Sequence, residues 1–132
     1  MPSTKKPTAT KKTAGKVKQV IGTRVKITLD DSKGNEKLTL ETPTGQTITL
    51  SSARGTVELA DSQGNSIILE PAGVTIRAAS RVTINAIELK VNAANLVVDA
   101  GVSKFNGVVQ CNTLISNSVI SSSYTPGAGN IL

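Results

Sequence analysis

Between Ile67 and Val98 the chain sets down a pair of aliphatic residues, one position apart, every seven or eight residues: Ile67/Leu69, Val74/Ile76, Val82/Ile84, Leu89/Val91 and Leu96/Val98. The spacing inside each pair is that of a β-strand with one face buried. The spacing between pairs constrains the fold more. A strand of about five residues leaves about two in which to change direction, and from Val74 to Val98 no Asn-Gly or Asp-Gly marks a tight hairpin. Short, regular corners of this kind predict a chain that keeps winding in one sense.

Upstream the same alternation runs at wider intervals, as Val25-x-Ile27-x-Leu29, Leu38-x-Leu40, Ile48-x-Leu50 and Val57-x-Leu59, each followed by Gly, Pro, Asn or Asp. The turn DSKGN (31–35) returns as DSQGN (61–65), an internal repeat. A winding chain of this length would complete few coils, and its ends would be open sheet edges that invite pairing with other chains. Three identical chains wound about one axis remove both difficulties, each supplying one side of a triangular prism per layer. The predicted class is therefore all-β, an intertwined trimeric β-helix or triangular β-prism with an extended N-terminal arm.

Composition supports a narrow core. Phe105 and Tyr124 are the only aromatic residues in 132, whereas compact domains of this size usually rely on aromatic bulk. Val, Ile, Leu, Thr and Ser take their place, a palette suited to pleated strands. A β-sandwich or jelly roll would show similar alternation with strands every 8–12 residues. The scarcity of aromatics and the near-constant seven-residue interval favour the wound trimer. Its predicted core comprises Ile27, Leu38, Leu40, Ile48, Leu50, Val57, Leu59, Ile67, Leu69, Val74, Ile76, Val82, Ile84, Leu89, Val91, Leu96 and Val98.

Charge divides the chain. Residues 1–26 hold eight Lys or Arg and no acid, while the formal charge of the whole is +6, so the basicity belongs to the N-terminal end. Residues 1–19, rich in Lys, Pro and Thr, are expected to be a flexible or docking arm, with 20–106 forming a shaft and 107–132 a tip or capping region. The arm carries Lys5, Lys6, Lys11, Lys12, Lys16 and Lys18. Three readings of it stand: phosphate contacts with nucleic acid, attraction to an anionic membrane surface, or docking into a groove of a partner, with a solvated tail as the plain alternative. Nucleic acid is the least favoured.

Chemistry finds little footing. The chain has no His, and its carboxylates fall in strand and turn contexts such as Asp30-Asp31 and Asp61, where they are read as turn formers. Cys111 stands alone, without a base to activate it and without a disulfide partner in the chain. Catalytic, cofactor and metal sites are therefore predicted to be none. No apolar run approaches the ~20 residues that span a bilayer, and the N-terminal lysines precede no apolar signal region. Synthesis in a bacterial cytoplasm without a signal peptide is the expectation.

The ordered combination of Ile27-Thr28-Leu29-Asp30-Asp31, the Gly64-to-Ile76 passage GNSIILEPAGVTI and the following V-T-I and L-x-V units resembles the C-terminal β-helical spike of contractile injection machines. These are the VgrG proteins of type VI secretion and the phage baseplate assembly protein V. The closing FNGVVQCNTLISNSVISSSYTPGAGNIL is similar to the ends of such spikes, and the resemblance covers about residues 20–132. It implies a homotrimeric, membrane-piercing structural protein of a virion tail baseplate or phage-tail-like particle, driven through a target envelope when the sheath contracts. It also implies a baseplate hub as partner, a possible PAAR-type tip protein, and transient contact with the target membrane. Two departures matter: 19 residues cannot encode the OB-fold hub that family members carry at the N-terminus, and without His no His-x-His metal apex can form. Tyr124, Pro126, Ile131 and Leu132 are the candidates for capping the tip. A trimeric receptor-binding fibre or stalk, and a basic-armed nucleic-acid-binding protein, are the alternative functions.

Overall fold

The computed structural model describes residues 16–19 and 23–125. Seven strands form one antiparallel sheet in chain order: β1 (Lys16–Gln19), β2 (Lys26–Asp30), β3 (Lys37–Glu41), β4 (Thr47–Ser51), β5 (Thr56–Ala60), β6 (Ser66–Glu70) and β7 (Gly73–Arg77). No helix occurs among the described residues. The fold is all-β, as the alternation predicts. Two compact units are distinguished, residues 1–87, which contain the sheet, and residues 88–132.

Within the sheet the chain reverses at every connection. Glu70 pairs with Gly73 across the two residues Pro71 and Ala72, so the first seven-residue interval, Ile67 to Val74, is a hairpin and not a corner in a continuing coil. Winding in one sense therefore does not describe residues 26–77, which form a meander. A second correction concerns the arm: its last four residues, Lys16–Gln19, are strand β1, paired with β2 from Lys16 opposite Asp30 to Gln19 opposite Ile27. The other arm lysines, Lys5, Lys6, Lys11 and Lys12, and the cap residues Pro126, Ile131 and Leu132 lie outside the described residues.

Polar side chains build the turns. Between β5 and β6, Asp61 Oδ1 accepts the amides of Gln63 at 2.8 Å and Asn65 at 2.9 Å, and its Oδ2 accepts from Asn65 Nδ2 at 2.6 Å. Between β2 and β3, Asp30 Oδ1 accepts from the Ser32 amide at 3.0 Å and from the Ser32 hydroxyl, and the Asn35 amide donates to the Ser32 carbonyl at 2.9 Å. These are the two copies of the repeated turn. Three strands, β3 to β5, lie between them, so they stand at opposite ends of the strands. The turn Thr42–Gln46 shares an end with Asp61–Asn65, and Gly45 (φ +93) is where they touch: a Cβ there would stand 3.0 Å from Ser62 Cβ. Only a residue without a side chain combines that approach with that backbone.

After β7 the chain has no strand among the described residues. It runs without regular hydrogen-bonded structure between backbone bends at residues 79–80, 87, 94, 101, 106–107, 112, 117 and 122. The bends recur every seven residues as far as Gly101 and every five from Gly107 onward. In the five-residue region serine hydroxyls bridge the bends: Ser116 Oγ donates to the Ser118 carbonyl at 2.7 Å, and Ser121 Oγ donates to the Ser123 carbonyl.

Candidate trimer interface

Antiparallel register converts the period-two pattern into rows. Ile27, Leu40, Ile48, Leu59, Ile67 and Ile76 stand opposite one another strand by strand, and so do Leu29, Leu38, Leu50, Val57, Leu69 and Val74. Residues two apart on a strand share a face, so both rows lie on the same side of the sheet. The other side carries Thr28, Thr39, Thr49, Glu58, Ile68 and Thr75 in its middle row. Lys26 and Glu41 flank them, with their charged ends 3.5 Å apart.

Nothing among the described residues buries the apolar rows. No hydrophobic residue is buried among the described residues. Leu29, Ile48, Leu50, Leu59, Ile67 and Leu69 are each 40–44% exposed, and Val74 and Ile76 rise to 66% and 62%. Shallow hollows of about 420 Å³, against Leu40, Ile48 and Leu59, and about 440 Å³, against Leu29, Leu38, Leu50 and Val57, run along the two rows. A soluble monomer rarely leaves a contiguous apolar surface of this kind open, and such a surface marks an interaction site.

Every core candidate from Ile27 to Ile76 falls in these two rows. Leu29 belongs with them, opposite Leu38; it was legible as the third member of the Val25-x-Ile27-x-Leu29 alternation. Val82 and Ile84 lie between the bends at 80 and 87, Leu89 and Val91 between 87 and 94, and Leu96 and Val98 between 94 and 101. All six are exposed. Beyond Gly107 a five-residue repeat adds Val109, Leu114, Val119 and Tyr124, each two residues after a bend. The sequence signal of this repeat is Leu-Ile-Ser-Asn-Ser (114–118) followed by Val-Ile-Ser-Ser-Ser (119–123).

The backbone is as open as the side chains. Main-chain hydrogen bonds outside the strands occur in the turns up to residue 65, and none joins described residues from Ala78 to Thr125. Buried amides and carbonyls are nearly always paired in folded proteins. A long segment with regular bends, exposed aliphatic pairs and no internal rungs is complementary to further strands from outside the chain.

Electrostatics belongs to the turns. Asp61 is held below the ordinary carboxylate range by the Asn65 side-chain amide and then by the Asn65 backbone amide. Glu36 is lowered by its own amide and that of Gly34, the latter donating at 3.1 Å. No group of three or more His, Cys, Asp or Glu among the described residues could hold a metal ion. Cys111 is free and exposed.

Residues 37–97 match the phage baseplate V C-terminal trimerisation domain. The match bears out the resemblance to baseplate spike proteins at the level of the family, over a little under half of the chain. The trimerisation domain takes in β3 to β7 and the bends as far as Ala94, and thus most of the two apolar rows. The Ile27-to-Asp31 opening and the closing segment from Phe105 lie outside it. Comparison with curated proteins finds no match. The match supports a structural baseplate role and a homotrimeric assembly.

Proposed function

We propose that three copies of this chain form the membrane-piercing central spike of a contractile phage tail or phage-tail-like injection system. The observation that carries the reading is the apolar sheet face left open by a chain whose matched family is a trimerisation domain. Three such faces turned toward a common axis cover one another, and the segment after Arg77 wraps around that axis as an intertwined β-prism. Full burial of one Val, Leu or Ile is worth roughly 1.5–3 kcal/mol, and each core position is repeated three times. Parting the chains requires unwinding them, which adds a kinetic barrier to the thermodynamic one. That combination suits a part that transmits a thrust and performs no chemistry.

The parts take these roles: residues 1–19 anchor the trimer to a baseplate hub through Lys5, Lys6, Lys11, Lys12, Lys16 and Lys18, residues 20–106 form the shaft, and residues 107–132 form the tip. Tyr124 and the residues after it close the core, and a PAAR-type protein is the candidate for a separate cap. Contact with the target membrane is transient.

Light scattering of the purified protein tests the assembly. A mass three times the chain's 13.6 kDa, surviving in SDS until the sample is boiled, is expected. A monomer would overturn the spike and return the basic arm to the centre of the functional question.

A further inference from the structure

The sheet has a free edge at β7. Among the described residues β6 is the only strand paired with it, and none after Arg77 pairs with it. An edge of this kind presents unpaired amides and carbonyls as a template for another strand. Two connecting residues were enough to bring β7 back against β6, so a further hairpin was within reach of the sequence.

A side chain diverts the chain instead. The Ala79 amide donates to Asn65 Oδ1 at 2.8 Å, while Asn65 Nδ2 is spent on Asp61 Oδ2 at 2.6 Å. The β6–β7 ladder pairs Ser66 with Arg77, and continuing it would bring Ala79 level with Gly64. The Asn65 carboxamide stands in for that rung, and the backbone bends at residues 79–80. Directly after the bend, Val82-Thr83-Ile84 repeats Val74-Thr75-Ile76. The repeated triplet has the two aliphatic residues and the one threonine that a strand laid on β7 must present to extend both apolar rows and the threonine row between them.

We infer that the free edge of β7 is taken by residues 81–85 of a second copy, with Val82 beside Val74, Thr83 beside Thr75 and Ile84 beside Ile76. Asn65 is the positioning residue that turns the chain from pairing with itself to pairing with its neighbour. The inference rests on the three-fold assembly proposed above and fixes where self-pairing ends. That register ascends in the same direction along both strands, so the pair added at the edge of β7 is parallel.

The test places Thr75→Cys on one chain and Thr83→Cys on another, both with Cys111→Ser, and co-expresses them. Neighbouring strands lie ~4.8 Å apart, inside the roughly 4.4–6.8 Å between Cα atoms that a disulfide spans. Mild oxidation is expected to give a covalent dimer containing one chain of each kind on a non-reducing gel. With both cysteines on every chain, a covalent trimer is expected. An internal disulfide in the double variant would overturn the inference, because residues 81–85 would then lie on their own β7. Absence of a cross-link in particles that still scatter as three chains would also overturn it and leave the trimer standing; a monomeric mass would sink both. In the double variant, Asn65→Ala is expected to move a measurable share of the disulfide from between chains to within them. An unchanged ratio in Asn65→Ala would remove Asn65 from its assigned role.

Discussion

Leu89→Ala offers the sharpest test of whether the open aliphatic pairs after β7 form a core. Leu89 is 64% exposed in the single chain. Covering that fraction, at roughly 1.5–3 kcal/mol for a whole leucine, adds about 1–2 kcal/mol per chain. Truncation inside a closed core also leaves a cavity, which brings the usual loss for Leu→Ala to about 2–5 kcal/mol. Three copies per assembly multiply it, so the trimer should lose roughly 6–15 kcal/mol if the sites act independently. Lys90 is the internal control: it follows Leu89 directly, its side chain is exposed, and alternation sets it on the opposite side of the chain. Lys90→Ala should change stability by no more than about 0.5 kcal/mol per chain. The assay is thermal dissociation followed by light scattering at several protein concentrations, with the fraction surviving unboiled SDS as a second readout. A Leu89→Ala trimer that melts with wild type and Lys90→Ala would refute a closed core between the bends at 87 and 94.

Three further outcomes follow from particular contacts. Gly45→Ala should destabilise the sheet by at least about 1–2 kcal/mol, the cost of a left-handed backbone at a residue with a Cβ, with the 3.0 Å approach to Ser62 adding to it; urea unfolding measures this. Asp61 is more acidic in the folded turn than in the unfolded chain, so its contribution is present above the ordinary aspartate range and fades as pH falls through its lowered folded value. Stability measured across the acid range should therefore drop less steeply in Asp61→Asn than in wild type, and parallel curves would count against the turn's role. Removing residues 124–132 should lower the dissociation temperature of the trimer if Tyr124 and its successors close the core, and an unchanged temperature would show that they do not.

The faces of β2 to β7 were legible because a period of two leaves no freedom once the strands pair in register: Leu38-x-Leu40 and Ile48-x-Leu50 could bury only one side. Direction was less legible. An interval of seven from Ile67 to Val74 and another of seven from Leu89 to Leu96 look alike in sequence, yet the first spans the Pro71-Ala72 hairpin and the second a bend across which the chain does not pair with itself. Interval length counts residues in a connection and carries no record of which way it turns. β1 was missed for a related reason: Lys16 and Lys18 dominate its composition, and only pairing with β2 makes a strand of it. The repeated turn misled in a smaller way, aligning Asp31 with Asp61. Asp30 is the carboxylate that receives the Ser32 amide two residues on, as Asp61 receives that of Gln63.

The change from seven to five residues between bends, near Gly101 to Gly107, bears on load. At ~3.3 Å per residue, a side of the proposed prism would shorten from about 23 Å to about 17 Å, and the cross-section, which scales as the square, would fall to about half. In the spike proposed above, the same axial force would act on half the area, doubling the pressure at the end formed by the five-residue repeat without a heavier shaft behind it.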